Sequence, residues 1–240
     1  MKKIEKTGNQ IIFEAEINET LANAIRRYVN QIPVMAVDEV EISKNDSPLY
    51  DETIAHRIGL LPLKTDKSVT KKSTGKLKLE VKKEGTIYSG EIRGKPEVVY
   101  KNMPLTILSK NQELKLTAFV KSGKGVEHAR FSPGILFYRN VNEIILDKEF
   151  YEEIKEVCYG NEIKEKGNKI VITDNKKREV TDVCEGIANR KGKKAEINPK
   201  KEMVITLESF GQMGAGDFFV KAIEVLKKDL AFLSKSIEKA

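Results

Sequence analysis

The sequence is poor in the residues that build metal centres and nucleophilic active sites. Its 240 residues include two cysteines and two histidines, and Cys158, Cys184, His56 and His128 lie far apart in the chain. A structural zinc site usually needs a close pair of Cys or His ligands. No Ser, Cys and His arrangement matches a nucleophile motif either. We therefore expect neither a metal site nor a catalytic residue in this chain.

Long apolar runs are also missing. No stretch approaches the ~20 apolar residues that cross a bilayer, and the charged start MKKIEKTGNQ lacks the apolar core of a signal peptide. A soluble, cytoplasmic protein is therefore expected. Cytoplasmic cysteines are usually reduced, although the sequence leaves open a disulfide between Cys158 and Cys184. The chain is long enough to bury a core, as one large domain or as two to three small ones.

A glycine-rich segment at 211–216 (GQMGAG) lies between a strand pattern and a helix pattern, which is where phosphate-binding loops occur. Its spacing matches neither Gly-x-Gly-x-x-Gly nor a loop that ends in Gly-Lys-Ser/Thr. Asp217 also places a carboxylate where the phosphate would bind. We interpret the glycines as a turn and Asp217 as the N-cap of the following helix.

Positive charge is abundant, with a net charge of +7, and is concentrated in two runs. Residues 64–83 hold eight lysines against Asp66 and Glu80, and residues 190–201 hold the second run. Neither run contains an aromatic residue on which a base could stack. The 35 lysines against 8 arginines also disfavour bidentate readout of phosphates or bases. We interpret the runs mainly as solvated loops and strand edges, with a stand-alone nucleic-acid-binding protein as the alternative.

The N-terminal region predicts a strand, a helix and a second strand. Apolar residues alternate over 11–17 and then recur at helical spacing over 21–32. Pro33 is expected to end the helix because it lacks an N–H and restricts the residue before it. Residues 34–42 favour a strand.

Two basic pairs are predicted to project from helices. On the first helix, Arg26 and Arg27 point away from the apolar stripe that contains Tyr28. A second, two-turn helix is expected to follow Asp51 as its N-cap and to carry His56 and Arg57 on its outer surface.

The C-terminal region predicts a long amphipathic helix. Its apolar residues recur in alternating steps of four and three, which is the spacing of a helix-packing seam. This terminal seam consists of Phe219, Ile223, Leu226, Leu230, Leu233 and Ile237, and is widened by Phe218, Ala222 and Val225. It has two explanations: packing within its own domain, or half of an interface with another protein chain.

The middle of the chain is predicted to be mostly β-strand. Clean alternation at 77–81 and 114–120, with Gly, Pro and Asn between the apolar segments, is typical of strands joined by turns. A short helix is expected at 150–158 and a short strand at 169–173. Residues 190–201 read as a polar linker before a late strand at 203–207. The fold class is therefore α+β.

Four stretches together resemble a known family. They are LANAIRRYVNQIPVMAVDEVEI at 21–42, SPLYDETIAHRIGLLPL at 47–63, GKGVEHARFSP at 123–133 and ESFGQ at 208–212. In this order they are similar to the D subunits of archaeal RNA polymerases, an alpha-like family related to the eukaryotic third-largest polymerase subunits and to the N-terminal domain of bacterial alpha.

The resemblance implies a domain organisation. A discontinuous dimerisation domain would comprise 1–44 and 200–240, with a β-rich domain at 45–146 inserted into it. The second insert, 147–199, corresponds to a ferredoxin-like region that holds an iron–sulfur cluster in some members. Such a cluster needs about four thiolates, and two cysteines do not suffice, so we expect a degenerate insert and no cofactor.

The resemblance also implies a function and partners. The chain is expected to be a non-catalytic assembly component of a nucleotidyltransferase complex. Tyr28 and the terminal seam would pair with the smaller alpha-like L subunit. Arg26, Arg27, His56 and Arg57 would face the large catalytic subunits, small zinc-bearing subunits would complete the platform, and DNA would be contacted only through the complex.

Overall fold

The computed structural model describes residues 2–66, 68–70 and 72–238. Two lysines of the first basic run, Lys67 and Lys71, lie outside the described residues, as do the extreme ends of the predicted dimerisation domain. The chain divides into two compact units. The first comprises Met1–Asn23 and Leu136–Leu207, and the second comprises Ala24–Ile135 and Glu208–Ala240.

Twelve strands and five α-helices are described. The strands are β1 (Lys2–Lys6), β2 (Gln10–Glu16), β3 (Pro33–Asn45), β4 (Thr74–Val81), β5 (Gly85–Tyr88), β6 (Arg93–Lys95), β7 (Pro104–Leu108), β8 (Leu114–Lys124), β9 (Gly134–Asp147), β10 (Glu162–Lys166), β11 (Lys169–Asp174) and β12 (Glu196–Ser209). The α-helices are α1 (Glu19–Val29), α2 (Asp51–Gly59), α3 (Tyr151–Val157), α4 (Thr181–Arg190) and α5 (Ala215–Ile237).

The first unit is organised by a six-stranded sheet in the order β1-β2-β12-β9-β11-β10. The pairs β1–β2, β9–β11 and β10–β11 are antiparallel. One apolar core contains residues of β9, β11, α3 and α4, among them Ile144, Phe150, Ile170 and Ile187. Cys158 and Cys184 belong to this core as buried free thiols.

A buried carboxylate joins β11 to α4 in the first unit. Asp174 is fully buried and accepts hydrogen bonds from Arg139, from the Val180 backbone N–H and from the Thr181 hydroxyl. A buried charge is tolerated when it is paired and hydrogen-bonded in this way. The contact therefore fixes the start of α4 against the end of β11.

The second unit is organised by a four-stranded sheet in the order β3-β8-β4-β6 and a two-stranded sheet, β5-β7. All pairs are antiparallel. One apolar core joins the inward residues of β3, β4 and β8 to Ile54 and Ile58 of α2 and to Ile87 of β5. One face of the larger sheet is thus buried against α2.

The structure confirms the α+β class and the long C-terminal helix. Helix α1 ends before Pro33, as predicted, and its first turn is capped by the Asn18 side chain, which accepts from the Leu21 N–H at 2.8 Å. The predicted polar linker at 190–201 is shorter than expected, since β12 already begins at Glu196. The three-part domain organisation stays a prediction.

Two of the predicted helix caps are wrong. The N-cap of α2 is Tyr50, and Asp51 is the first helical residue, where its carboxylate accepts from the Asn45 amide at 2.7 Å. The N-cap of α5 is Gly214 without a side-chain cap, and Asp217 lies in the first turn. Both carboxylates still lie at the positive end of a helix dipole.

Candidate protein interface on the terminal helix

The terminal seam is buried at its N-terminal end and solvent-exposed (bare) at its C-terminal end. Phe219 and Leu226 are 9% exposed, whereas Leu230, Leu233 and Ile237 are 56%, 55% and 67% exposed. Ile223 is half-buried. Both explanations of the seam therefore apply, each to a different part: packing within the chain up to Leu226, and an uncovered apolar edge beyond it.

The whole surface of α5 is exposed after Leu226. Every residue from Lys227 to Glu238 is exposed, on all sides of the helix. The described part of the chain therefore leaves every residue of this segment at least partly open to solvent. An apolar helix face in water is unfavourable and usually marks an interaction site.

Phe232 belongs to this surface but is absent from the predicted site. It is 75% exposed and continues a second row at seven-residue spacing, from Phe218, which is fully buried, through the half-buried Val225. Residues seven apart lie on the same face of a helix. The sequence signal was present, since Phe218 and Val225 already widened the predicted seam.

The structure brings Tyr28 together with the bare segment of α5. Its phenolic O–H donates to the Asp229 carboxylate, and burial together with this carboxylate raises the pKa of Tyr28 above its ordinary value. The neighbouring positive charge of Arg27 acts in the opposite direction. Helix α1 is thus tied to α5 at the point where the terminal seam becomes exposed.

The two predicted basic pairs are both on the surface. Arg26 and Arg27 are exposed on α1, whose buried residues are Ala22, Ile25 and Val29. On α2, His56 and Arg57 are exposed while Ile54 and Ile58 are fully buried.

Arg57 has an additional role inside the chain. Its Nη1 donates to the Leu105 carbonyl of β7 at 2.8 Å. This hydrogen bond restrains the guanidinium and leaves its other N–H groups available for a second contact.

A chain of hydrogen bonds connects three of the four family-like stretches. The Ser132 hydroxyl donates to the Asn30 side-chain oxygen at 2.9 Å, and the Gln212 side-chain amide donates to the Ser132 carbonyl at 3.0 Å. The Gln212 carbonyl accepts from the Thr65 N–H at 2.9 Å, just beyond the remaining stretch. Segments distant in sequence are therefore joined beside the start of α5.

Two glycines allow this close approach. A Cβ at Gly125 would lie 2.5 Å from the Asn30 side-chain oxygen, and a Cβ at Gly123 would lie 2.6 Å from the Phe131 ring. Neither position has room for a larger residue without rearrangement. This explains both glycines in the stretch at 123–133.

His128 has a structural role. It caps the short 3₁₀ turn at Ala129–Phe131, where its Nδ1 accepts from the Arg130 N–H at 3.2 Å. Arg130 in turn donates to the Asp38 carboxylate at 3.0 Å and to the Val37 carbonyl at 3.1 Å. The turn is thereby held against β3.

Metal-ligating side chains do not cluster in the described residues. Among them, no group of three or more His, Cys, Asp or Glu side chains could hold a metal ion. The Sγ atoms of Cys158 and Cys184 lie 3.5 Å apart, and this contact together with burial raises the pKa of the Cys184 thiol. Within the same residues, none of the helices is both long and apolar enough to span a bilayer.

Comparisons with known proteins agree with this geometry. A family model described as the RNA polymerase Rpb3/RpoA insert domain matches residues 40–137. DNA-directed RNA polymerase subunit Rpo3 of Thermococcus kodakarensis is 32% identical over 95% of this chain and 93% of its own length. The chain belongs to the archaeal Rpo3 family.

Further members give the same result. Rpo3 of Pyrobaculum arsenaticum is 32% identical over 92% of this chain and 89% of its own length. Rpo3 of Archaeoglobus fulgidus is 31% identical over 91% of this chain and 89% of its own length. The resemblance drawn from the four stretches is thus confirmed, and the chain is a component of a DNA-directed RNA polymerase.

Loss of the Gln212 side chain should destabilise the chain. Gln212→Ala removes a buried donor and leaves the Ser132 carbonyl unpaired, so we expect the free energy of unfolding to fall by about 1–3 kcal/mol. Urea titration measures this change. Gln112→Ala is the matched control, because Gln112 accepts from the Ser109 N–H in an exposed turn, and its loss should cost less than about 1 kcal/mol. Equal losses would contradict the role assigned to Gln212.

The Tyr28–Asp229 contact predicts a pH dependence. Because the folded chain raises the pKa of Tyr28, the contribution to stability is present below the ordinary value of about 10 and is lost as the pH rises through the folded value. Tyr28→Phe should lower the free energy of unfolding by about 0.5–1.5 kcal/mol at neutral pH, and the difference should shrink above pH ~10.

Urea titrations of both proteins at neutral and alkaline pH test this. Tyr159→Phe is the control, since Tyr159 is 93% exposed and its removal should leave the difference small at every pH. A Tyr28→Phe difference that stays constant through the alkaline range would show that the contact with Asp229 does not matter.

Proposed function

We propose that this chain is a non-catalytic scaffold that assembles the polymerase by forming a heterodimer with the smaller alpha-like L subunit. The observation that carries the proposal is the bare end of α5, where the terminal seam continues for three residues with no cover from the described chain. The alternation of four and three residues suits packing against another helix.

The energetics favour an obligate partner. Full burial of one large apolar side chain contributes about 1.5–3 kcal/mol, and Leu230, Phe232, Leu233 and Ile237 are each at least half exposed. Their combined burial is large enough to offset part of the entropy lost on association. Tyr28 adds to this surface through its bond to Asp229, which holds α1 beside the segment that the partner would cover.

The basic side chains provide the second contact surface. We assign Arg26, Arg27, His56 and Arg57 to the large catalytic subunits, where guanidinium groups can form bidentate bonds with carboxylates. Arg57 is already oriented by the Leu105 carbonyl, so less side-chain entropy is lost when it binds. Small zinc-bearing subunits complete the platform in this proposal.

The remaining assignments follow from the same proposal. A scaffold needs no cofactor, and two thiols are too few for an iron–sulfur cluster. The complex acts in the cytoplasm, and this chain reaches DNA only through the other subunits.

The alternative, a stand-alone nucleic-acid-binding protein, is weakened because several lysines of the two runs form ion pairs. In the first run, Lys64, Lys82 and Lys83 form ion pairs with Glu97, Glu113 and Glu91. In the second run, Lys193 pairs with Asp147 and Glu149. Lysines that are neutralised in this way contribute little to phosphate binding.

Charge placed on the bare seam should abolish pairing. Leu230→Asp with Leu233→Asp puts two carboxylates into the proposed contact but leaves the fold intact, since both side chains are already exposed. We expect the affinity for the co-expressed L subunit to fall by at least about 100-fold, as measured by size-exclusion chromatography and calorimetry.

Val220→Asp is the matched control for this experiment. Val220 is 55% exposed on the same helix but lies outside the terminal seam. It should leave the one-to-one complex unchanged. Wild-type pairing by the double variant, or separate elution of the unmodified chain and the L subunit, would contradict the proposed heterodimer.

Reversal of one charge on α1 should weaken recruitment of the second-largest subunit without weakening pairing with the L subunit. Arg27→Glu is expected to keep the heterodimer with the L subunit but to reduce binding of the second-largest subunit by about tenfold or more. A pull-down with purified subunits measures both steps. Lys166→Glu, an exposed reversal on β10, should change neither. Normal recruitment by Arg27→Glu would remove Arg27 from the proposed contact.

A further inference from the structure

The uncovered face of the four-stranded sheet carries an ordered charge pattern. Its opposite face is buried against α2 in the apolar core. Side chains that pair directly across antiparallel strands lie on the same face. The register therefore shows which residues of β3, β8, β4 and β6 share the exposed surface.

On this face, β6 and the part of β4 that pairs with it are basic, and Glu80 follows further along β4. Lys76 lies opposite Lys95, and Lys78 lies opposite Arg93, so β4 and β6 present four cations in a block. All four side chains are exposed. We call Lys76, Lys78, Arg93 and Lys95 the basic block.

The basic block is unfavourable for the isolated chain. Like charges directly opposite each other destabilise a sheet, and here two such pairs follow one another. Nearby lysines are neutralised, for example Lys115 by Glu80 and Lys83 by Glu91. Within the described ranges, no carboxylate forms an ion pair with a member of the block. The arrangement fits an anionic partner supplied from outside.

The other side of the same face is acidic. In one row across the strands, Glu39 lies opposite Phe119 of β8, and Phe119 lies opposite Lys76 of β4. In the next row, Glu41 lies opposite Thr117, and Thr117 lies opposite Lys78. Glu39 and Glu41 on β3 are exposed, and Phe119 is half-buried. The charge therefore changes sign across the sheet, over three strand spacings of about 4.8 Å each.

We propose that the basic block is a docking site for an acidic, extended segment of another protein. Such a strand carries side chains on one side at every second residue, about 6.8 Å apart, which is also the spacing of Lys76 and Lys78 along β4. Carboxylates at alternate positions of the segment would thus meet successive cations of the block.

The pattern disfavours a nucleic acid as the occupant. A duplex is wide enough to place phosphates over Glu39 and Glu41 as well as over the block. A single-stranded nucleic acid gains affinity when its bases stack on aromatic rings. The Phe119 ring is covered by the Lys76 ammonium, which lies 5.0 Å from the ring centroid, so a base cannot stack on that side of the ring. A single acidic peptide strand covers β4 and β6 alone.

Fluorescence anisotropy with the full chain at low ionic strength tests the proposal. The probes are a labelled Glu-Ser repeat peptide, a peptide of the same composition with Glu in adjacent pairs, and an oligothymidylate of equal charge. We expect the alternating peptide to bind more tightly than the other two. Lys76→Glu with Lys78→Glu should weaken its binding by about tenfold or more.

A matched control and a stability measurement complete the design. Lys164→Glu with Lys166→Glu makes the same change at the same spacing on the exposed strand β10 and should leave the affinity unchanged. Lys76→Glu with Lys78→Glu should not lower the unfolding temperature, because two like-charge pairs become opposite-charge pairs. Arg93→Gln with Lys95→Gln, which only removes charge, should also weaken binding.

Three results would overturn the proposal. Equal weakening by the control on β10 would mean that binding follows net charge alone. Tighter binding of the oligothymidylate would assign the block to nucleic acid. If both double variants of the basic block bound the alternating peptide as tightly as the unmodified chain does, the peptide would bind at another surface.

Discussion

The hydrogen-bonded chain from Asn30 through Ser132 to Gln212 is the constraint on which the second unit depends. It joins the end of α1, the turn after β8 and the start of α5, and the Gln212 carbonyl extends it to Thr65. Each of these buried or half-buried groups would lose its partner if one segment shifted. The same hydrogen bonds therefore hold the segment just before α5 against the end of α1 and the turn after β8.

Helix α5 divides its apolar surface between two uses. Up to Leu226 the seam contributes to the core of its own chain, and from Leu230 onward it is exposed. Packing within the chain stabilises the N-terminal part of this helix, whereas the apolar side chains of its C-terminal part are exposed to solvent. Membership of the Rpo3 family places the chain in a DNA-directed RNA polymerase, and the Tyr28–Asp229 contact supports the helix where its seam becomes exposed.

Charge on this molecule is informative through its arrangement more than through its amount. The net charge of +7 suggests a polyanion, yet many lysines are paired with carboxylates at the surface, where each pair contributes little to stability. On the face of β4 and β6, by contrast, cations oppose cations. A surface arrangement that lowers the stability of the free chain is typical of a binding site.

Periodicity in the sequence was sufficient to predict α1, α5, the β-rich middle and the terminal seam, because each depends on local spacing. The family followed from the resemblance of four contiguous stretches to known members. Tertiary contacts decided the rest. Whether Leu226 or Leu230 is covered, which residue caps α2, and that Phe232 is bare depend on what packs nearby. The opposition of Lys78 and Arg93 depends on strand register, which links residues far apart in the chain and leaves no local pattern.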